Sequence, residues 1–308
     1  MSFRNIVVPL DGSRFGEVAL SYATSLARSA GARLHLVIAH EPVAALVGMG
    51  ESFPPPDFDE AGRVREQEYL AETAAGVRDR TGGLAVEFRA LEGPAGIALV
   101  EEIQRLGADL VVMSTHGRGA MGRLWFGSVA DHVVRHVDVP VLLVRPSLGK
   151  AEAAGAPGEL GSILVTLDLS PESERILEPV IQLATLTQGH VTLTHFLEPV
   201  LGFVEPSVPY PVPVDPAILE LNRAKAQRYL DRVADRLRDR GISVNTRVLD
   251  ADGVPGNLLR ALAGKQFDLV AMTTHGRGGL KRLFLGSVAD KVIRGGTKPV
   301  LVVRPPIA

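Results

Sequence analysis

The sequence predicts an α/β fold made of two repeated, doubly wound (Rossmann-like) domains, each a five-stranded parallel sheet of order 3-2-1-4-5. Three observations predict it. The chain is written twice. Within each copy, short β-branched runs alternate with stretches of helical periodicity. The strand runs are apolar at consecutive positions, as expected for strands covered on both faces.

The repeat is plainest in the last third of each copy. STHGRGAMGRLWFGSVADHVVRHVDVPVLLVRP starts at Ser114, and TTHGRGGLKRLFLGSVADKVIRGGTKPVLVVRP starts at Thr273. About 20 of 33 aligned positions are identical, without a gap. Shorter echoes precede it: IVVPLDGS from Ile6 and ILVTLDLS from Ile163, then HLVIAHEPV from His35 and LTHFLEPV from Leu193. DLVVMSTHG from Asp109 matches DLVAMTTHG from Asp268. A period of about 160 residues is too long for a solenoid unit, so each copy reads as a domain, 1–146 and 162–308. The small, polar, glycine-rich stretch 147–161 reads as the linker.

In chain order, Ile6, Val7, Val8 and Leu10 make the first strand. Phe15, Val18, Ala19, Tyr22, Ala23, Leu26 and Ala27 follow helical spacing and stop before Gly31. His35 to Ala39 is the second strand. A proline-rich crossing comes next (Pro54, Pro55 and Pro56; Pro206, Pro209, Pro211, Pro213 and Pro216). It leads into a charged amphipathic helix near 60–80 and 217–240. A third strand near 84–91 and a helix near 95–106 follow. The fourth strand spans Asp109 to Met113. Beyond a glycine loop, Ser128 to Arg135 is helical and Val139 to Val144 is the final strand. Right-handed crossovers then require a parallel sheet with helices on both faces.

Of the 308 residues, 46% are hydrophobic and 22% charged, as in globular proteins. The net charge of −2 removes the basic excess of a nucleic-acid binder, so no nucleic-acid partner is expected. With no cysteine, disulfide scaffolds, thiolate metal sites and cysteine nucleophiles are excluded. MSFRNIVVPLDGS lacks the apolar core of a signal peptide. No apolar run reaches the roughly 18 residues of a membrane span, so a cytoplasmic protein without a membrane partner is expected.

Open α/β sheets bind ligands beyond the carboxyl ends of their strands, where the strand order reverses. Order 3-2-1-4-5 puts that crevice between strands one and four. Asp11 ends strand one, and the glycine loop follows strand four. His116, Gly117, Arg118 and Gly119 open the loop; Gly127 and Ser128 close it before a helix. The first amides of a helix have no intrahelical partner and carry its positive dipole end, which suits phosphate. Ser128 can cap the helix or donate its hydroxyl to phosphate. Arg118 and Arg123 add charge-assisted contacts. His275, Gly276, Arg277, Gly278, Arg282, Gly286 and Ser287 repeat the arrangement. The plainer reading is a turn followed by a capped helix. GRGAMG at Gly117–Gly122 matches the dinucleotide pattern G-x-G-x-x-G, but it follows a late strand, and the second copy has Lys281 in place of the third glycine.

A first-strand Asp, then G-x2-G-x9-G-[ST] after strand four, a helix and P-V-L-V-V-R resembles the universal stress protein family in tandem form. The resemblance covers nearly the whole chain. It implies one ATP site per copy, with Mg²⁺ as an optional companion of the phosphates. Gly117, Gly127 and Ser128 match the motif, as do Gly276, Gly286 and Ser287. Val129 and Val288 follow on the helix. The motif's first glycine is Ser114 here and Thr273 in the second copy. A threonine is costly there if the backbone needs positive φ. On extended backbone its hydroxyl can bond the nucleotide instead. Asp11 and Asp168 match the family's ribose-binding acid, and Ala39 and Phe196 fall near its adenine contact. The resemblance also implies that the last strands make a dimer contact. The two copies are expected to pair internally through these sheet-edge strands, and a homodimer through them is expected as well.

Other polar residues carry weaker signals. His116 and His275 suit loop packing as well as ligand contact. His40 and His195 do not align with each other and read as packing residues. The Glu/Arg-rich helix near Arg63–Arg80 reads as a solvated face. No catalytic residue is assigned: H-E-x-x-H, G-x-S-x-G and GxxxxGK[ST] are all absent. No metal site is assigned either. Three readings stand: an ATP-binding stress or regulatory protein, a slow ATPase or phosphotransferase using the same crevice, and a nucleotide-free interaction module.

Overall fold

The computed structural model describes residues 3–41, 57–115, 126–145, 160–197, 216–250, 256, 258–259, 264, 266–274 and 286–305. The first copy runs β1 (Asn5–Leu10), α1 (Arg14–Ala30), β2 (Arg33–His40), α2 (Asp57–Thr81), β3 (Val86–Glu92), α3 (Ala95–Arg105), β4 (Leu110–Ser114), α4 (Ser128–His136) and β5 (Val141–Val144). The second runs β6 (Ser162–Thr166), a 3₁₀ turn (Ser173–Ile176), α5 (Leu177–Thr187), β7 (His190–Leu197), α6 (Pro216–Arg238), β8 (Ser243–Asp250), β9 (Leu269–Thr273), α7 (Ser287–Gly295) and β10 (Val300–Val303). Pro216, read above as part of the crossing, opens α6, where a missing N–H is harmless. The other crossing prolines, and linker residues 147–159, lie outside the described residues.

The strands form one sheet of ten, ordered β3-β2-β1-β4-β5-β10-β9-β6-β7-β8. Each half has the predicted order 3-2-1-4-5, and every pairing within a half is parallel. The last strands pair with each other, as expected of the two copies, and so sit at the centre of one ten-stranded sheet and not at an outer edge. β5 and β10 pair antiparallel, with Leu142 opposite Leu301, so each supplies the other's missing neighbour. While this pairing holds, neither last strand is a free sheet edge. The actual edges, β3 and β8, are the most exposed strands and carry charged residues such as Glu87, Arg89 and Arg247, which discourages edge-to-edge association.

Strand residues divide alternately between two cores. Ile6, Val8, Leu142, Val144, Leu301 and Val303 face one side, where α1, α2, α5 and α6 pack through residues such as Leu26, Leu70, Val180 and Leu230. Val7, Val141, Leu143, Val300 and Val302 face the other, against Leu99 and Ile103 of α3, Val133 of α4 and Val292 of α7. Both cores cross the boundary between the copies.

The repeated Asp109 and Asp268 turn out to be anchors at the opposite end of the sheet from the crevice. Asp109 Oδ2 accepts the Arg4 and Asn5 amides, both at 2.8 Å, and Asp268 Oδ2 accepts the Ser162 amide at 2.9 Å. Each fixes the start of a fourth strand to the start of a first. No described helix is long and apolar enough to cross a membrane.

Leu142 is 1% exposed in the core shared by both copies. Leu142→Ala is expected to destabilise the protein by about 2–5 kcal/mol, read as a lower urea midpoint with an unchanged slope.

Candidate functional site

β1 lies beside β4, with Ile6 opposite Leu110 and Val7 opposite Val111. Counting on along that register brings Asp11 opposite Thr115. In the second copy Ile163 faces Leu269, which brings Asp168 opposite Thr274. In both copies the acid and the start of the glycine loop leave adjacent strands at the same end of the sheet.

The acid is held by a tight turn. Asp11 Oδ1 accepts the Ser13 amide at 3.0 Å and the Ser13 hydroxyl at 2.7 Å. Ser13 then caps α1 by accepting the Gly16 amide at 3.2 Å. Gly12, between acid and serine, has φ +73°. The second copy repeats the turn: Asp168 Oδ1 accepts the Ser170 amide and hydroxyl at 3.0 and 2.5 Å. Its middle residue is Leu169, held at φ +68°, a conformation that disfavours side chains. The carboxylate also leans on α1. A Cβ on Gly16 would lie 2.6 Å from Asp11 Oδ1. Ser173 takes that place in the second copy, and its hydroxyl donates to the Ser170 carbonyl at 2.8 Å.

Gly127, not Ser128, is the N-cap of α4, and Gly286 is the N-cap of α7. Ser128 is the first helical residue, so the capping role proposed for it falls to a residue without a side chain. Neither helix is capped by the side chain of its N-cap residue. The Gly127 amide donates to the Thr115 carbonyl at 2.9 Å and the Gly286 amide to the Thr274 carbonyl at 2.8 Å. A Cβ on Gly127 would lie 3.2 Å from that carbonyl oxygen. Glycine thus lets the loop's return lie against the strand end, with the first amides of α4 emerging just beyond. Asp131, in the opening turns of α4, is gripped by Arg135 through two 2.7 Å bonds, which offsets an acid near an anion-attracting end. Asp290 and Arg294 do the same in α7 at 2.8 Å.

Ser114 and Thr273, standing where the family motif has glycine, are the last residues of β4 and β9. Their backbone is extended, so Thr273 is unstrained. Both are buried. Ala39 and Phe196 occupy equivalent places on β2 and β7, since Arg33 pairs with Asn5 and His190 with Ser162. Phe196 is buried in the second core, with Ala39 packed beside that core. His116, Gly117, Arg118, Gly119, Arg123, His275, Gly276, Arg277, Gly278 and Arg282 lie outside the described residues.

Several polar groups near the site had no clear signal in the sequence. Glu41 Oε1 accepts the Ala95 amide at 2.8 Å and so caps α3; the repeated Glu-Pro pair after strand two was the available hint. His40 is buried, with Nδ1 2.8 Å from Glu66 and Nε2 3.1 Å from Asp59. The helix read as a solvated face therefore sends carboxylates inward. His195 Nδ1 bonds the Leu167 carbonyl at 2.8 Å, a packing role. The Tyr69 hydroxyl donates to Glu17 at 3.1 Å, and Tyr229 to Glu174 at 2.9 Å. Burial first, and then the neighbouring carboxylate, raise both phenols well above the usual tyrosine range. On α4, burial and then His136 push His132 below the ordinary imidazole value.

The profile of the Universal stress protein family matches residues 2–145 and again residues 160–304. The chain belongs to the universal stress protein family. A universal stress protein of Mycobacterium bovis is 27% identical over 313 aligned positions, covering 98% of this chain and 95% of its own. One from Thermus aquaticus is 36% identical over 143 residues, 46% of this chain and 99% of its own. That is a one-copy relative of a two-copy chain. Among solved structures, a universal stress protein from Archaeoglobus fulgidus superposes with a TM-score of 0.69 at 17% identity, covering 98% of both chains. It supports the same fold for this universal stress protein.

The two acid turns make a natural swap experiment. Leu169→Gly is expected to raise stability by up to about 1 kcal/mol by relieving the left-handed leucine. Gly12→Leu should lower it by about 1 kcal/mol. Paired urea melts check both, and opposite signs are the expected result.

Proposed function

We propose that this universal stress protein binds ATP in each copy and acts as a nucleotide-dependent regulatory protein in the stress response. The observation that carries this reading is a glycine-capped helix start beside a fixed acid. At Gly127 and Gly286 the N-cap residue has no side chain to close the opening amides of α4 and α7. A phosphate chain is a suitable partner for such amides. One strand away, Asp11 and Asp168 are held in shape by the Ser13 and Ser170 turns, as a ribose diol requires of its acceptor. Ala39 and Phe196 border the same end of the sheet and give the base an apolar wall. Ser114 and Thr273 are the last residues of β4 and β9.

The chain's own residues would bind and orient the nucleotide. Ser128 and Val129 lend amides, as do Ser287 and Val288. Among the described residues no group of three acidic or histidine side chains is arranged to hold a metal. A Mg²⁺ ion would accompany the phosphates.

ATP binding is tested by equilibrium dialysis of the purified full chain. Two ATP per chain are expected. Gly127→Glu puts a carboxylate where phosphate would sit and should reduce the count to one; Gly286→Glu should do the same for the other copy. A count unchanged in both variants, or a wild-type protein that holds no ATP, would refute the reading and leave a nucleotide-free interaction module. Asp11→Ala and Asp168→Ala should each weaken their own copy's site by about 1.5–3 kcal/mol, the worth of hydrogen bonds to a charged group. The same dialysis titration reads it.

A further inference from the structure

Two arginines cross between the copies and grip helices that are not their own. Arg145 directly follows β5. Its guanidinium donates from Nη1 to the Arg294 carbonyl at 2.6 Å and to the Gly296 carbonyl at 2.9 Å. Those carbonyls lie at the C-terminal end of α7. Arg304 directly follows β10. Its Nη1 donates to the Arg135 carbonyl at 2.6 Å, at the C-terminal end of α4, and its Nη2 donates to Asp138 at 2.5 Å. Arg135 and Arg294 are equivalent residues of the two copies, so the grips are reciprocal. A cation on terminal helix carbonyls is favourable twice over, through hydrogen bonds and through the dipole.

The grips close a circuit that passes both candidate sites. From the cap of α4, the Gly127 amide bonds the Thr115 carbonyl, and the Thr115 amide bonds the Val144 carbonyl at 2.9 Å. The next residue is Arg145, on the end of α7. The start of α7 is Gly286, whose amide bonds the Thr274 carbonyl, and the Thr274 amide bonds the Val303 carbonyl at 2.9 Å. The next residue is Arg304, on the end of α4. Each helix is nine residues long, about 13.5 Å, short enough to move as a rod. The circuit uses backbone and arginine contacts only.

We infer that Arg145 and Arg304 are positioning residues that couple the two sites, so that filling one copy strengthens binding in the other. The inference rests on the proposed ATP sites. A ligand on the cap of α4 fixes that helix and its return contact with β4. Through Val144 and Arg145 this restrains the far end of α7, so the second ligand meets a helix already ordered. By linkage the effect is equal in both directions.

The test exploits the crossing. In the full chain, Asp11→Ala leaves the second copy's site to be measured, and Asp168→Ala leaves the first. With its neighbour unfilled, the second copy of the Asp11→Ala chain should bind ATP about fivefold or more weakly than the same copy of the wild type as both sites fill. The first copy of the Asp168→Ala chain should do the same. Wild type should bind its two ATP molecules cooperatively, and the double Arg→Met variant independently. A double variant that still binds cooperatively, or affinities within about twofold throughout, overturns the coupling. A wild type that binds no ATP overturns the ATP reading and the coupling with it. Hydrogen exchange without nucleotide then judges the contacts alone. Arg145→Met should speed exchange at Ser287–Ala289 while sparing Ser128–Ala130, and unchanged rates at both refute the circuit. If a methionine variant misfolds, Arg145→Lys and Arg304→Lys keep the charge but lose the fork, and should give the same pattern more weakly.

Discussion

The antiparallel pairing of β5 with β10 is the contact on which the rest of the architecture depends. Each half alone would end in a wholly apolar strand, Val-Leu-Leu-Val or Val-Leu-Val-Val, with one row of backbone groups unpaired. Joining the two strands satisfies both rows at once. It also merges the cores on the two faces of the sheet, since Leu142 and Leu301 face one side while Val141 and Val302 face the other. The same pairing carries Arg145 and Arg304 across the boundary. Pairing, shared cores and crossed arginines have one cause, the approximate two-fold relation that an antiparallel strand pair imposes.

The candidate site follows from a second constraint, the neighbourhood of β1 and β4. Strand order brings a loop that ends in a glycine-capped helix next to the acid that ends β1. The two copies build the acid's turn differently. The first uses Gly12 and leaves room at Gly16 for the carboxylate. The second tolerates a left-handed Leu169 and fills the Gly16 place with Ser173. A strained leucine retained in the same turn is consistent with a carboxylate whose position matters.

The copies also diverge around the strand-two end. His40 sits between Asp59 and Glu66 in the first copy. The register places Leu197 at the equivalent position of the second. A buried histidine bonded to two carboxylates thus holds α2 to β2 in the first half. By contrast, the Tyr69–Glu17 and Tyr229–Glu174 pairs are kept in both. Duplication preserved the frame that positions the acid and the capped helix, and let the surroundings drift.

Much of this was legible in the residues themselves. The doubling, the alternation of strand and helix, and consecutive apolar strand positions determined two doubly wound halves, because periodicity and burial on both faces are local properties of a sequence. Asp11, Gly127 and their counterparts stood out by repetition alone. What the sequence left undecided were matters of long-range contact. Asp109 read as the first residue of the fourth strand, and the structure shows that it anchors β4 to β1. Ser128 looked like a cap, yet backbone geometry gave that place to Gly127. The last strands read as edges of their own halves, and the family resemblance implied that they meet, but nothing in a linear pattern gives the direction or register of the meeting. Only the tertiary structure decided that they run antiparallel within one sheet, and that the arginine after each reaches a helix some 150 positions away, since such contacts are set by packing and symmetry and leave no period in the chain.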